Sequence, residues 1–160
     1  MLLRNNPAKV DEFARRLFRT GVVESVYPET GKVRVTFEDQ GAEGVRSWEF
    51  QVLQRKTLRD KDYWMPDIGE HVVCLQLPYG PSEGFIVGAF YSTEDEPPVK
   101  TQSKRHVSFS DGSWVEHDTA THSMRVKSVG NVVLESDAKV TVRAPIIELK
   151  DGTPSEEIQQ

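Results

Sequence analysis

Between residues 107 and 149 the chain repeats itself, and the repeat limits what it can fold into. Short alternating pairs recur about every eight residues: Val107 with Phe109, Val115 with His117, Met124 with Val126, Val132 with Leu134, Val140 with Val142, Ile147 with Leu149. In each, a residue and the one two along face the same side, as a strand requires. Turn formers separate the pairs: Asp111-Gly112, Asp118-Thr119, Gly130-Asn131, Ser136-Asp137 and Ala144-Pro145. Strands this short cannot bury a single apolar stripe within one chain. Repeats of this kind close their core by stacking on neighbours or on other chains. The expectation is a piece of a rod, suited to mechanics or display.

Upstream, the pattern changes. Residues 8–19 read as a short amphipathic helix with Val10, Phe13 and Leu17 on one stripe and Arg15, Arg16 and Arg19 beside it. A helix this short is marginal alone, so its stripe must pack on something. Residues 21–92 read as β: a hairpin around Pro28-Glu-Thr-Gly31, a looser strand near Trp48 to Leu53, a strand from His71 to Leu77, and another from Phe85 to Tyr91. Five short strands with little helix fit a small closed barrel of the OB type, although another small barrel or sandwich has the same periodicity. Residues 93–104, with Pro97-Pro98, form a linker, 105–150 hold the repeat, and 151–160 have the composition of a polar tail.

Composition narrows the function. Hydrophobic residues make up 37%, low for a self-contained globule. Acidic residues outnumber basic ones, 25 to 20, for a net charge of −5, which opposes non-specific binding to a polyphosphate. No Lys/Arg cluster is interleaved with aromatics as single-strand binders need, so no nucleic-acid partner is expected. The one cysteine, Cys74, lies in an apolar run and reads as a small buried hydrophobe. The N-terminal apolar stretch is too short for a signal peptide, and nothing approaches the ~18 apolar residues of a membrane span. Assembly in a cytoplasm is expected.

Nothing in the sequence points to catalysis. His71, His106, His117 and His122 form neither a His-x-His nor a His-x3-His pair. Neither a serine-centred elbow nor a phosphate-binding glycine loop occurs. Acidic pairs such as Asp95/Glu96 and Glu156/Glu157 sit in linker or tail, where catalytic spacing cannot be held. No catalytic residue, cofactor or metal is expected. The sharpest local string, Trp64-x-Pro66-x-x-Gly69-Glu70-x-Val72, describes an aromatic anchor, a rigid turn, a tight corner and a core strand.

Four strings, in order, resemble the baseplate assembly protein V family, the central spikes of contractile phage tails, tail-like bacteriocins and related injection machines. They are Arg19-Thr20-Gly21-Val22-Val23, Tyr63-Trp64-x-Pro66-x-x-Gly69-Glu70, Gly84 through Ser92, and Phe109-x-Asp111-Gly112-x-x-Val115-Glu116. The resemblance implies a homotrimer: three OB barrels around an axis, continuing into an intertwined three-sided β-helix. Its trimer core is expected from Val107, Phe109, Val115, Met124, Val126, Val132, Leu134, Val140, Val142, Ile147 and Leu149. It also implies a tail hub protein as partner, with Val10, Phe13 and Leu17 as the candidate hub contact, and a target cell envelope that the β-helix helps to puncture. Many family members carry an apex with a metal-binding His-x-His pair. This sequence has none, so either a separate tip protein caps the spike, the favoured expectation, or the chain is a short variant. The alternative is an OB-fold module binding single-stranded nucleic acid or an oligosaccharide.

Overall fold

A computed structural model describes Val10 and residues 17–37, 44–77, 84–93 and 95–149. It divides into two compact units, Met1–Pro97 and Pro98–Gln160.

The first unit is a barrel built from alternation. Its strands are β1 (Phe18–Tyr27), β2 (Lys32–Phe37), β3 (Val45–Arg46), β4 (Phe50–Val52), β5 (His71–Gln76) and β6 (Gly84–Ala89). In β2, Val33, Val35 and Phe37 are buried while Lys32, Arg34 and Thr36 face outward. Val23, Phe50, Val52, Val72, Cys74 and Ile86 complete the core, with Val26, Trp64 and Met65 packed against it. The strands run β1-β5-β6-β4-β2, and the further pairing of β1 with β2 closes the ring; β3 is added outside β2. All pairs are antiparallel except β4 with β6. One long strand shared between two neighbours, with one parallel pair, is an OB-like arrangement.

Closure depends on β1. Its first half pairs with β5 and its second with β2, and the register shifts between Val23 and Ser25. Such a bulge bends a strand enough to serve two partners. Gly21 sits in both pairings, and a β-carbon there would lie 2.5 Å from both the Thr36 carbonyl oxygen and the Val35 side chain. The Trp64 string locks the bulge. Val23 exchanges backbone hydrogen bonds with Gly69 and Glu70, 2.8 Å from the Gly69 N–H and 3.0 Å to the Glu70 carbonyl. Gly69 has a φ of 94°, which disfavours other residues there.

The expected N-terminal helix lies almost wholly outside the described residues, Phe13 included. Val10 and Leu17 have helical backbone, but no complete helix stands among the described residues. Strand begins at Phe18, earlier than expected, because Phe18, Arg19 and Thr20 pair with Leu75, Cys74 and Val73. Tertiary pairing overrides the local helical stripe there.

Among the described residues the second unit shows no β-helix within the single chain. Strands β7 (Lys104–Ser108), β8 (Trp114–Asp118) and β9 (Ser123–Lys127) make an antiparallel meander instead. The turn chemistry explains the reversal. The Gly112 N–H donates to Phe109 O at 3.0 Å, Gly112 has a φ of 87°, and Asp111 accepts from the Ser113 N–H at 2.8 Å. That is a tight hairpin loop with glycine at its left-handed position. His122, with a φ of 52°, turns the chain into β9. The last three segments of the repeat, over residues 128–149, join no strand.

Candidate assembly interface

Strand register gives the meander two unlike faces. Lys104, His106 and Ser108 lie opposite Asp118, Glu116 and Trp114, which in turn lie opposite Ser123, Arg125 and Lys127. Part of this polar face is paired internally. Glu116 accepts from the Lys104 ammonium at 3.0 Å and pairs with His106 Nδ1 at 3.0 Å, and the His106 ring stacks on Trp114 with centroids 5.9 Å apart. Asp118 is buried at the strand end and accepts from the Ala120 N–H at 2.9 Å. The sequence reading missed this network. Its signal was the alternation of Lys104, His106, Glu116 and Asp118 opposite the apolar positions.

Three carboxyls are held below their ordinary range. For Glu116 the main cause is Lys104, with His106 adding to it and burial opposing. For Asp118 it is the Ala120 N–H, and for Asp111 the Ser113 N–H. Each binds its proton less tightly folded than unfolded. Their stabilisation is therefore present above the ordinary carboxylate pKa and lost as pH falls towards the folded value. Amide protection in β7–β9, taken relative to the intrinsic exchange rate at each pH, should fall on acidification through and below that range, and a Glu116→Gln variant should show a shallower dependence.

The opposite face carries the sheet's exposed aliphatic side chains, with Arg105 and His117 among them, and has no cover among the described residues. Val107, Val115 and Val126 form one rung across all three strands, and Arg105, His117 and Met124 form the next. Val115 is half-buried in the central strand, whereas Val107 is 52% exposed, Val126 64% and Met124 72%. Phe109, at the hairpin, is exposed too. Along 128–149 the exposure continues through Val132, Leu134, Val140, Val142, Ile147 and Leu149, the last 95% exposed. So many large apolar side chains left exposed in one unit is unusual for a self-contained domain. Alternation still holds here: Val126 faces away from Arg125, as the sequence suggested.

The other expected sites are dispersed. Val10 is exposed and Leu17 half-buried, while Phe13 lies outside the described residues. His117 is exposed on the apolar face and His122 sits in the following turn. Among the described residues no three His, Cys, Asp or Glu side chains gather where they could hold a metal ion. Cys74 lies in the barrel core, where burial pushes its thiol up to about 12 despite Arg19, so it is unreactive in the folded chain. On the outer barrel wall, Glu49 holds Lys32 at 3.9 Å and Arg34 at 3.2 Å, while Glu24 pairs with Arg46 at 2.6 Å. Those cations are answered by carboxylates, which weakens the wall as a track for a phosphate backbone.

Fold and surface together describe an all-β chain: an OB-like barrel followed by a short-stranded sheet with an apolar face left uncovered among the described residues. No family model matches the chain. It is similar to the spike protein of Escherichia phage P2, with 26% identity over 152 residues, 93% of this chain and 70% of that relative. At that distance the similarity supports the phage-spike resemblance read from the sequence.

Proposed function

We propose that the chain is a non-enzymatic structural part of a phage-type baseplate, a central spike that acts as a homotrimer. The observation that carries this reading is the set of exposed apolar side chains from Val107 to Leu149, first on β7–β9 and then on residues 128–149, which join no strand. Three copies would supply what one lacks. The rung of Val107, Val115 and Val126 from each copy would face a common axis, and the segments from Val132 to Leu149 would pair with those of the other copies. Burial at about 25 cal/mol per Å² of apolar surface, repeated threefold at every rung, stiffens a narrow prism. Stiffness is what a part driven through a cell envelope requires.

In the same reading the OB-like barrels dock to the tail hub, with the apolar stripe Val10, Phe13 and Leu17 contributing. The similarity to a phage spike protein supports the spike reading from which hub docking is proposed. The purified chain should co-elute on a sizing column with the hub protein of its own particle, and deletion of residues 1–18 should weaken that complex. Separate elution of the two intact proteins would contradict hub docking.

A further inference from the structure

The connection between β4 and β5 carries the most exposed aliphatic side chain described in the barrel unit, Leu58, at 85%. Its loop is tied shut rung by rung. At the neck, the Gln54 side-chain amide donates to Trp64 O at 2.8 Å and accepts from the Trp64 N–H at 3.1 Å, while the Trp64 indole N–H donates to Leu53 O at 3.0 Å. Above it, Arg55 pairs with Asp62 at 2.9 Å and the Asp62 N–H donates to Lys56 O at 3.0 Å. Lys56 then pairs with Asp60. These rungs hold up a tip of Thr57, Leu58 and Arg59. Residues 55–62 set four cations against two carboxylates in a chain of net charge −5, and no ion pair among the described residues engages Arg59 or Lys61.

We propose that this tip is a docking point for an acidic protein surface, with Leu58 entering an apolar socket and Arg59 and Lys61 meeting carboxylates on its rim. A loop already fixed by its own hydrogen bonds loses little further freedom on binding. An apolar anchor ringed by charge is the anatomy of a protein interface. A phosphate backbone would take the two cations but offers no socket for the leucine. The inference rests on the reading that the barrel docks to the hub, and the hub is its occupant.

The test uses the full chain and the purified hub protein of the same particle, titrated at two salt concentrations. Leu58→Asp should weaken binding by at least about tenfold, the loss expected of an interface anchor. Arg59→Glu with Lys61→Glu should weaken it and flatten its salt dependence. All three positions are exposed, so melting curves should match the parent chain. Hub binding by the parent with both variants unchanged overturns the loop proposal alone. No hub binding by the parent overturns hub docking and the loop proposal together. A single-stranded oligonucleotide shift shown by the parent and abolished by the double variant would overturn the protein socket in favour of nucleic acid.

Discussion

A chain carrying Leu134→Asp together with Val142→Asp should elute as an 18.1 kDa monomer where the parent elutes as a trimer. Leu134 is 77% exposed and Val142 67% exposed in the single chain. The substitutions therefore remove almost no apolar contact from the isolated fold, and their effect falls on assembly. In the proposed trimer each position brings three side chains towards one axis. Full burial is worth roughly 1.5–3 kcal/mol per Val or Leu, so each position contributes roughly 5–9 kcal/mol over three copies. Three carboxylates crowded into that space add a desolvation and repulsion cost. Glu135→Ala with Arg143→Ala, on the opposite side by alternation, should leave the trimer intact. Light scattering on a sizing column reads both variants, and a trimeric Leu134→Asp/Val142→Asp chain would remove these residues from the proposed core.

The barrel has its own point of greatest sensitivity at Phe50. Its side chain is 1% exposed, its ring lies 6.2 Å from that of Phe37, and Gly84 packs against it so closely that a β-carbon there would come within 2.5 Å of the ring. Phe50→Ala removes a ring from a closed core and leaves a cavity, at a cost of about 3–5 kcal/mol. At roughly 4–8 °C per kcal/mol for a domain of this size, the barrel transition should fall by roughly 12–40 °C. Leu53→Ala, at a half-exposed site one residue beyond β4, should move it little. Gly84→Ala alone should destabilise through its clash with the ring, and in the Phe50→Ala background it should be tolerated or stabilising. That coupling, read from a double-mutant cycle by calorimetry, identifies the pair as one packing unit. Additive effects would contradict it.

Both effects trace to features of unequal legibility in the sequence. Alternation in Val33, Val35 and Phe37, and the apolar run holding Val72 and Cys74, announced the strands and inner faces of the barrel. The turn at Pro28 to Gly31 announced their first reversal. Less visible was the early start of β1, because Phe18 to Thr20 become strand only by pairing with β5, a distant segment. The bulge between Val23 and Ser25 was equally hidden, since its partners Gly69 and Glu70 lie more than forty residues on.

The repeat shows the limit more sharply. Its period gave the correct alternation, with Val107, Val115 and Val126 on one face. It could not say that the first three segments pair within the chain while the last three find no partner there. A two-residue period encodes which side faces a core. It does not encode whose strand lies alongside. Asp111-Gly112 carried part of that information, as a turn that sends the chain back beside itself. The polar network of Lys104, His106 and Glu116 was readable only once that reversal set the register.

The measurement that bears most directly on the spike reading is the solution mass of the intact, unmodified chain, by light scattering on a sizing column. A mass near three times 18.1 kDa is the predicted result, because it gives the exposed apolar side chains from Val107 to Leu149 the cover they lack. A stable monomer of 18.1 kDa across a wide concentration range would contradict it, leaving that run uncovered and the spike without a shaft.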